Sequence, residues 1–329
     1  MRALVARLDG LGGVLVSGPA VRAVAAVADE VVMLCGPRGR PAAELLPGAG
    51  HVIECSAPWI DPEPVDRADI DLLVPALRGF DRALILTASW QSPLPLALLL
   101  RMAGVPWIGA ITEDRPGSLL DLRHRPDPAL PEPERLLALA AAAGFPAPAD
   151  TRLRIKRPLP QLGPLVGAPG HVVVHPAASE SEAAWPPERC AEAVRLLAAA
   201  GHRVVVTGDR DEKDLTAYVA GDTGLDLGGR TTLPMLASVL ARARALVAGN
   251  TGPAHLAAAV GTPVVSLFAA AVPAARWAPH GVPSAASADP HQVVAAVERI
   301  AGGERLAELR RAAHQKTSRP RAPLTEVNP

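Results

Sequence analysis

Residues 245–268, reading ALVAGNTGPAHLAAAVGTPVVSLF, constrain the fold more tightly than any other stretch. Ala245 to Ala248 is a short apolar run of strand type, and Gly249-Asn250-Thr251-Gly252-Pro253 is a tight turn. Ala254 to Val260 reads as a helix, with Thr251 or Gly252 near its cap and Pro253 in its first turn, where a missing N–H costs little. Gly261-Thr262-Pro263 ends that helix, and Val264 to Phe268 supplies the next buried strand. A strand, a turn and a helix start in this order bring free backbone N–H groups and the positive end of a helix dipole to one point. Such a point binds a phosphate-like anion. Upstream, Leu233, Leu236, Val239 and Leu240 have helical spacing, and Thr231 or Thr232 is placed to cap that helix.

The same rhythm fills the rest of the chain. Strands are expected over residues 2–8, 30–35, 51–55, 82–86 and 107–111, with helices over 14–28, 42–46, 70–77 and 94–102 between them. Residues 112–133 have charges and turn signals without periodicity and read as a long functional loop, followed by a helix over 134–143. A second series begins with strands over 172–174 and 203–207 around a helix over 187–200. A final helical stretch from Pro290 to about Ala313 is interrupted at Gly302-Gly303. Alternation of this kind predicts an α/β protein with mostly parallel sheets covered on both faces. The proline-rich, basic stretch around Arg152, Arg154, Lys156 and Arg157 marks a boundary. It divides the chain into a Rossmann-like domain over 1–150, a linker over 151–170, a second Rossmann-like domain over 171–314 and a mobile tail over 315–329.

Composition narrows the function classes. In 329 residues, 33 Lys and Arg balance 33 Asp and Glu, so no overall field favours nucleic acid or an anionic membrane. The most apolar segment, 94–111, is broken by Pro95, Arg101, Gly104 and Pro106, which favours a buried helix and strand over a membrane span. At most peripheral membrane contact is expected. The beginning MRALVARL lacks the apolar core of a secretion signal, and Cys35, Cys55 and Cys190 have no metal-type spacing. Free thiols in a cytoplasmic protein are the expectation. The GxGxxG and GxxxxGK[ST] motifs and a DxD-like metal motif are absent, which weakens oxidoreductase and NTPase readings.

GNTGPAHLAAAVGTPVVSLF resembles the donor-binding signature of glycosyltransferase family 9, the ADP-heptose heptosyltransferases and their relatives. RLDGLGGVLVSGPAVRAV, residues 7–24, is similar to the family's opening, His175-Pro-Ala-Ala-Ser179 to its HPGAS segment, and Trp185-Pro186 to a WP pair downstream. Gly208-Asp209-Arg210-Asp211-Glu212 is similar to its TGGPxE turn. Together the matches run to about Pro283. The resemblance implies a GT-B architecture, two Rossmann-like domains facing a cleft. It also implies a metal-independent, inverting transferase that takes an ADP-sugar as donor substrate and needs no cofactor. The donor-binding candidates are His175, Ser179, Gly208, Glu212, Thr231, Asn250, Thr251, Gly252 and His255.

Three departures bear on mechanism. The family's opening has an aspartate that acts as general base where this chain has Gly13, and glycine accepts no proton. Asp9 is the nearest carboxylate in the same turn and the candidate catalytic base, with turn formation as the plainer alternative. Glu113 and Asp114 are weaker competitors. Ala183 and Ala184 stand where basic residues usually precede the tryptophan, and losing a charged contact to a pyrophosphate costs about 1.5–3 kcal/mol. Arg189, Arg210 and Arg230 are possible substitutes. Asn250 replaces the usual aspartate of the signature, keeping an acceptor carbonyl and losing the charge.

The expected activity is transfer of a sugar, heptose by resemblance, from an ADP-sugar to an acceptor hydroxyl. The acceptor is left open among a lipid-linked cell-envelope glycan such as a lipopolysaccharide core, another glycan and a small molecule. The alternative is a nucleotide-sugar-binding paralogue that has lost catalysis and acts as partner or regulator. A third, less favoured reading is a nucleotide-sugar epimerase of the same architecture.

Overall fold

β1 (Arg2–Arg7) is buried from Ala3 to Arg7, as a strand must be when helices cover both faces of its sheet. The computed structural model describes residues 1–60, 67–88, 90–115, 117–177, 185–249, 251–267, 274–287 and 289–302. β1 sits inside a parallel sheet with β2 (Glu30–Cys35), β3 (His51–Glu54), β4 (Arg82–Ile85), β5 (Trp107–Ile111) and β6 (Leu122–His124), in the order β3-β2-β1-β4-β5-β6. A second parallel sheet comprises β7 (His171–His175), β8 (Val204–Val206), β9 (Leu225–Asp226), β10 (Ala243–Ala248), β11 (Val264–Ser266) and β12 (Ser284–Ala286). Its order, β12-β11-β10-β7-β8-β9, repeats that of the first. In each sheet the order reverses beside the first strand, between β1 and β4 and between β7 and β10. Connections leave such a pair toward opposite sides, opening a crevice at the carboxyl ends of the strands.

The helices of the first half are α1 (Leu11–Val16), α2 (Gly18–Ala25), α3 (Arg40–Leu45), α4 (Arg67–Ala76), α5 (Leu94–Met102) and α6 (Glu132–Ala142). Those that follow are α7 (Gly163–Val166), α8 (Pro187–Ala199), α9 (Lys213–Ala220), α10 (Leu233–Ala241), α11 (Gly252–Val260), α12 (Ala274–Trp277) and α13 (290–302).

Strand alternation sorts the apolar side chains into three cores. Leu4 and Ala6 of β1 face an outer core with Leu34, Ile85, Leu96 and Leu100. Val172 and Val174 of β7 face another with Val194, Leu197 and Val206. Ala3 and Val5 of the first sheet and Val173 of the second face a central core, where α1, α2 and α6 meet α10 and α11 through Val14, Leu15, Leu136, Leu139, Leu240 and Leu256. The two halves are thus joined by continuous apolar packing behind the crevices.

Several boundaries differ from expectation for identifiable reasons. The helix expected over 14–28 starts earlier, at Leu11, and divides at Ser17. The Ser17 hydroxyl donates to Val14 O at 2.6 Å, and Pro19 has no N–H for the next turn. The loop expected over 112–133 contains β6, and its last residues begin α6. β6, β9 and β12 are edge strands of two or three residues, too short for any periodicity. Within 151–170, Leu153, Ile155, Leu162 and Val166 are buried in the central core. The expected tail over 315–329 lies outside the described residues. Among the described residues, no helix is long and apolar enough to cross a membrane. Cys35, Cys55 and Cys190 are buried free thiols, and burial pushes Cys35 and Cys190 up to about 12.

Candidate active site

The first crevice lies between the loops that follow β1 and β4. Asp9 stands two residues beyond β1, and Gln91 lies in the tight turn after β4, closed by the Gln91 N–H donating to Ala88 O at 3.1 Å. Gln91 Nε2 reaches across the crevice and donates to Asp9 Oδ1 at 2.5 Å. Arg7, at the end of β1, is completely buried; its Nη2 forms an ion pair with Asp9 Oδ2 at 2.5 Å. Its Nη1 donates to Leu86 O at 2.9 Å and to Glu132 Oε1 at 3.1 Å.

Glu132 opens α6 and is 1% exposed. Its Oε2 accepts from Arg276 Nε at 2.8 Å and lies 2.7 Å from Arg276 Nη2 and 3.4 Å from Arg135 Nε. One carboxylate is therefore surrounded by three guanidiniums from β1, α6 and α12, tying the first half to the second. A buried carboxylate with several charged donors is held in one orientation.

Asp9 also lies directly against Gly13. A Cβ built on Gly13 would lie 2.5 Å from Asp9 Oδ2 and 2.6 Å from Asp9 Cβ. The Asp9 side chain therefore fills the space into which a side chain at position 13 would project. One residue earlier, a Cβ on Gly12 would meet His255 Cδ2 at 3.0 Å, so the start of α1 abuts the second half.

That contact is with α11, at the second crevice. Thr251 is the N-cap of α11, 5% exposed, and its hydroxyl makes no capping bond and has no hydrogen-bond partner among the described residues. His255, one turn into the helix, is 3% exposed, and among the described residues its Nδ1 likewise has no partner. Burial lowers His255 to about 4, with the nearby Glu132 acting in the opposite sense, so the ring is neutral at pH 7. Trp277 flanks it at 6.1 Å between ring centroids. Gly252 packs so closely on Leu11 that its own Cβ would lie 3.1 Å from Leu11 Cβ.

The remaining candidates are distributed around the second crevice. His175 ends β7 and is buried, with Nδ1 3.1 Å from Thr207 Oγ1 at the end of β8. Burial lowers it to about 4. Gly208 follows β8, and its carbonyl accepts the Gly229 N–H at 2.9 Å. Glu212 accepts the Asp209 N–H at 2.7 Å in a capping box, which uses part of its hydrogen-bonding capacity locally, and burial raises its pKa. Thr231 is half-buried ahead of α10, and Thr232 is the N-cap without a side-chain bond. Ser179 and Asn250, with Ala183 and Ala184, lie outside the described residues.

Glu113 is exposed and paired with Arg125 at 2.9 Å, while Asp114 accepts from the Ser92 hydroxyl at 2.6 Å beside the Gln91 turn. Arg189 stacks over Trp185 at 5.0 Å, Arg230 donates to Asp226 O at 3.2 Å, and Arg210 opens an exposed 3-10 turn. Arg7, Gln91, Glu132 and Arg276 were not singled out from sequence. The strand order predicts adjacency of the loops after β1 and β4, which is the one signal that points to Gln91.

Two parallel Rossmann-like sheets, each with a crevice at its switch point and facing loops in contact, define a GT-B glycosyltransferase fold. The chain belongs to glycosyltransferase family 9 (heptosyltransferase), whose family model matches residues 75–291. It is 32% identical over 123 residues to lipopolysaccharide heptosyltransferase 3 of Escherichia coli, a match covering 36% of this chain and 35% of that relative. Among solved structures, it is similar to a family 9 glycosyl transferase from Veillonella parvula, with a TM-score of 0.77 and 15% identity over 91% of this chain and 97% of that one. It is also similar to the E. coli heptosyltransferase WaaC with ADP-2-deoxy-2-fluoro heptose, with a TM-score of 0.71 and 20% identity over 92% of this chain and 100% of that one.

Proposed function

We propose that the chain is an inverting, metal-independent glycosyltransferase that moves a sugar, heptose by preference, from an ADP-sugar to an acceptor hydroxyl on a cell-envelope glycan. Residues 171–314 hold the nucleotide sugar and residues 1–150 present the acceptor, with 151–170 connecting them. The solved WaaC complex with an ADP-heptose analogue supports the choice of donor. The carrying observation is the meeting of the start of α1 with the start of α11: a Cβ on Gly12 would lie 3.0 Å from His255 Cδ2, and one on the adjacent Gly13 would meet the Asp9 side chain.

In this reading the acceptor oxygen attacks the anomeric carbon while its proton passes to Asp9. The bond from that carbon to the phosphate oxygen breaks with its electron pair going to ADP. Backbone N–H groups at the start of α11, the Thr251 hydroxyl and neutral His255 meet the departing diphosphate. Arg7 and Gln91 aim the Asp9 carboxylate, and Glu212 is placed to meet ribose hydroxyls. Packing of the halves around the site excludes water, which competes with the acceptor.

The second reading, binding without transfer, is favoured by one fact: both Asp9 oxygens already have partners, Gln91 on Oδ1 and Arg7 on Oδ2. Mass-spectrometric detection of heptose transfer from ADP-heptose to a panel of envelope glycans separates the two. Transfer that disappears in Asp9→Asn while donor binding persists supports the enzyme. Donor binding with no transfer to any acceptor supports the binding protein.

A further inference from the structure

We infer that Arg276 supplies the positive charge for the donor's diphosphate and, with the start of α11, completes an anion site between the two halves. This rests on the ADP-sugar reading above and adds a residue that the sequence motifs do not mark.

The first observation is a surplus of buried charge. Arg7, Arg135 and Arg276 gather around Glu132, and Arg7 also meets Asp9, so three guanidiniums share two carboxylates. Among the described residues no other carboxylate lies within ion-pair distance of these arginines. A guanidinium withdrawn from water without a counter-charge is costly, and a bound anion removes that cost.

The second observation is independent and lies on the neighbouring helix. Thr251 Oγ1 and His255 Nδ1 are polar atoms of residues 5% and 3% exposed, both without a partner among the described residues, and both belong to the first turn or so of α11. A nine-residue helix ending there directs its free N–H groups to the same place.

Arg276 is the cluster member that connects the two. The Arg7 side chain is 0% exposed and that of Arg135 9%, whereas that of Arg276 is 18% exposed. Trp277, the next residue, packs beside His255, so α12 carries Arg276 alongside the start of α11. Glu132 Oε2 meets the Nε and Nη2 edge of the guanidinium, which leaves Nη1 as the nitrogen turned to a second anion. Arg189 and Arg230 are occupied elsewhere, Arg210 stands in an exposed 3-10 turn, and alanines stand at 183 and 184. Arg276 thus supplies from α12 the charge that those positions lack.

The test is calorimetric titration of the full chain and of Arg276→Gln and Arg276→Lys with ADP and with adenosine. Glu132 keeps Arg7 and Arg135 in either variant, so its charge stays compensated. Arg276→Gln is expected to weaken ADP about tenfold to a hundredfold with adenosine affinity unchanged, and Arg276→Lys to retain most of the ADP affinity. Unchanged ADP affinity in Arg276→Gln overturns the inference, as does an equal loss for adenosine, which marks a structural role. A Lys variant as weak as the Gln variant also counts against it. Wild-type protein that binds no ADP removes the donor reading itself, an outcome distinct from wild-type binding that Arg276→Gln leaves intact.

Discussion

The Asp9 carboxylate occupies the space in front of Gly13, where a Cβ on residue 13 would lie 2.5 Å from Asp9 Oδ2. Positions 9 and 13 therefore compete for one volume, which the Asp9 side chain fills. Gly13→Ala is expected to displace the Asp9 side chain, costing about 1–3 kcal/mol of stability and, on the proposed mechanism, lowering turnover. Combining Gly13→Ala with Asp9→Gly should relieve most of the stability loss, because Asp9 Cβ itself would lie 2.6 Å from the new methyl group. A thermal-melt double-mutant cycle measures that coupling, and strict additivity would contradict the shared volume.

Gln91 and Arg7 hold the same carboxylate with different structural weight. Gln91→Leu removes the hydrogen bond to Asp9 and a long one from the Ala88 N–H at a crevice loop, and should lower kcat with little change in thermal midpoint. Arg7→Met strips the cation from two carboxylates in a fully buried position and should destabilise the fold by about 3–5 kcal/mol. Parallel kcat and denaturant-unfolding measurements check the contrast, which vanishes if both residues serve only the fold.

His175 and His255 make stability pH-dependent. Both are held near 4 in the folded chain, below the unfolded value of 6.5, because burial disfavours the charged ring. The unfolded chain therefore binds more protons between these values, so stability is full above about pH 6.5 and falls as pH drops toward 4. Each histidine contributes at most roughly 1.4 kcal/mol per pH unit in that window. Urea unfolding between pH 7 and pH 4.5 should show this loss, with a shallower slope in His255→Gln.

The junction of the halves rests on Leu11 and Gly252. Gly252→Ala brings a methyl group against Leu11 and should cost about 1–3 kcal/mol while weakening donor binding, because the start of α11 must shift. Leu11→Ala in the same chain should restore much of that stability. Melting curves of the two single variants and the double variant decide it; no recovery would mean that the contact does not set the spacing.

The strand and helix rhythm was legible because parallel strands buried on both faces are unbroken apolar runs, as in residues 31–35 of β2 and Trp107–Ile111. β6, β9 and β12 were not, since two or three edge residues carry no period. In the candidate site, Thr251 is marked locally as a helix cap, whereas Asp9 and His255 stand out only through the family resemblance around them. Arg7 and Glu132 were hidden, as their meaning depends on a partner 125 positions away. Glu132 reads in sequence as an acid favoured at a helix start. Arg276 follows residues with no charge pattern, and only the packing of α12 against α6 brings it to Glu132.

The central claim is that the second crevice binds an ADP-sugar. Calorimetric titration of the purified chain with ADP, UDP, GDP and ADP-heptose tests it most directly. The account predicts saturable binding with a clear preference for the two ADP compounds. Absence of binding to all four, or a preference for UDP or GDP, would contradict it.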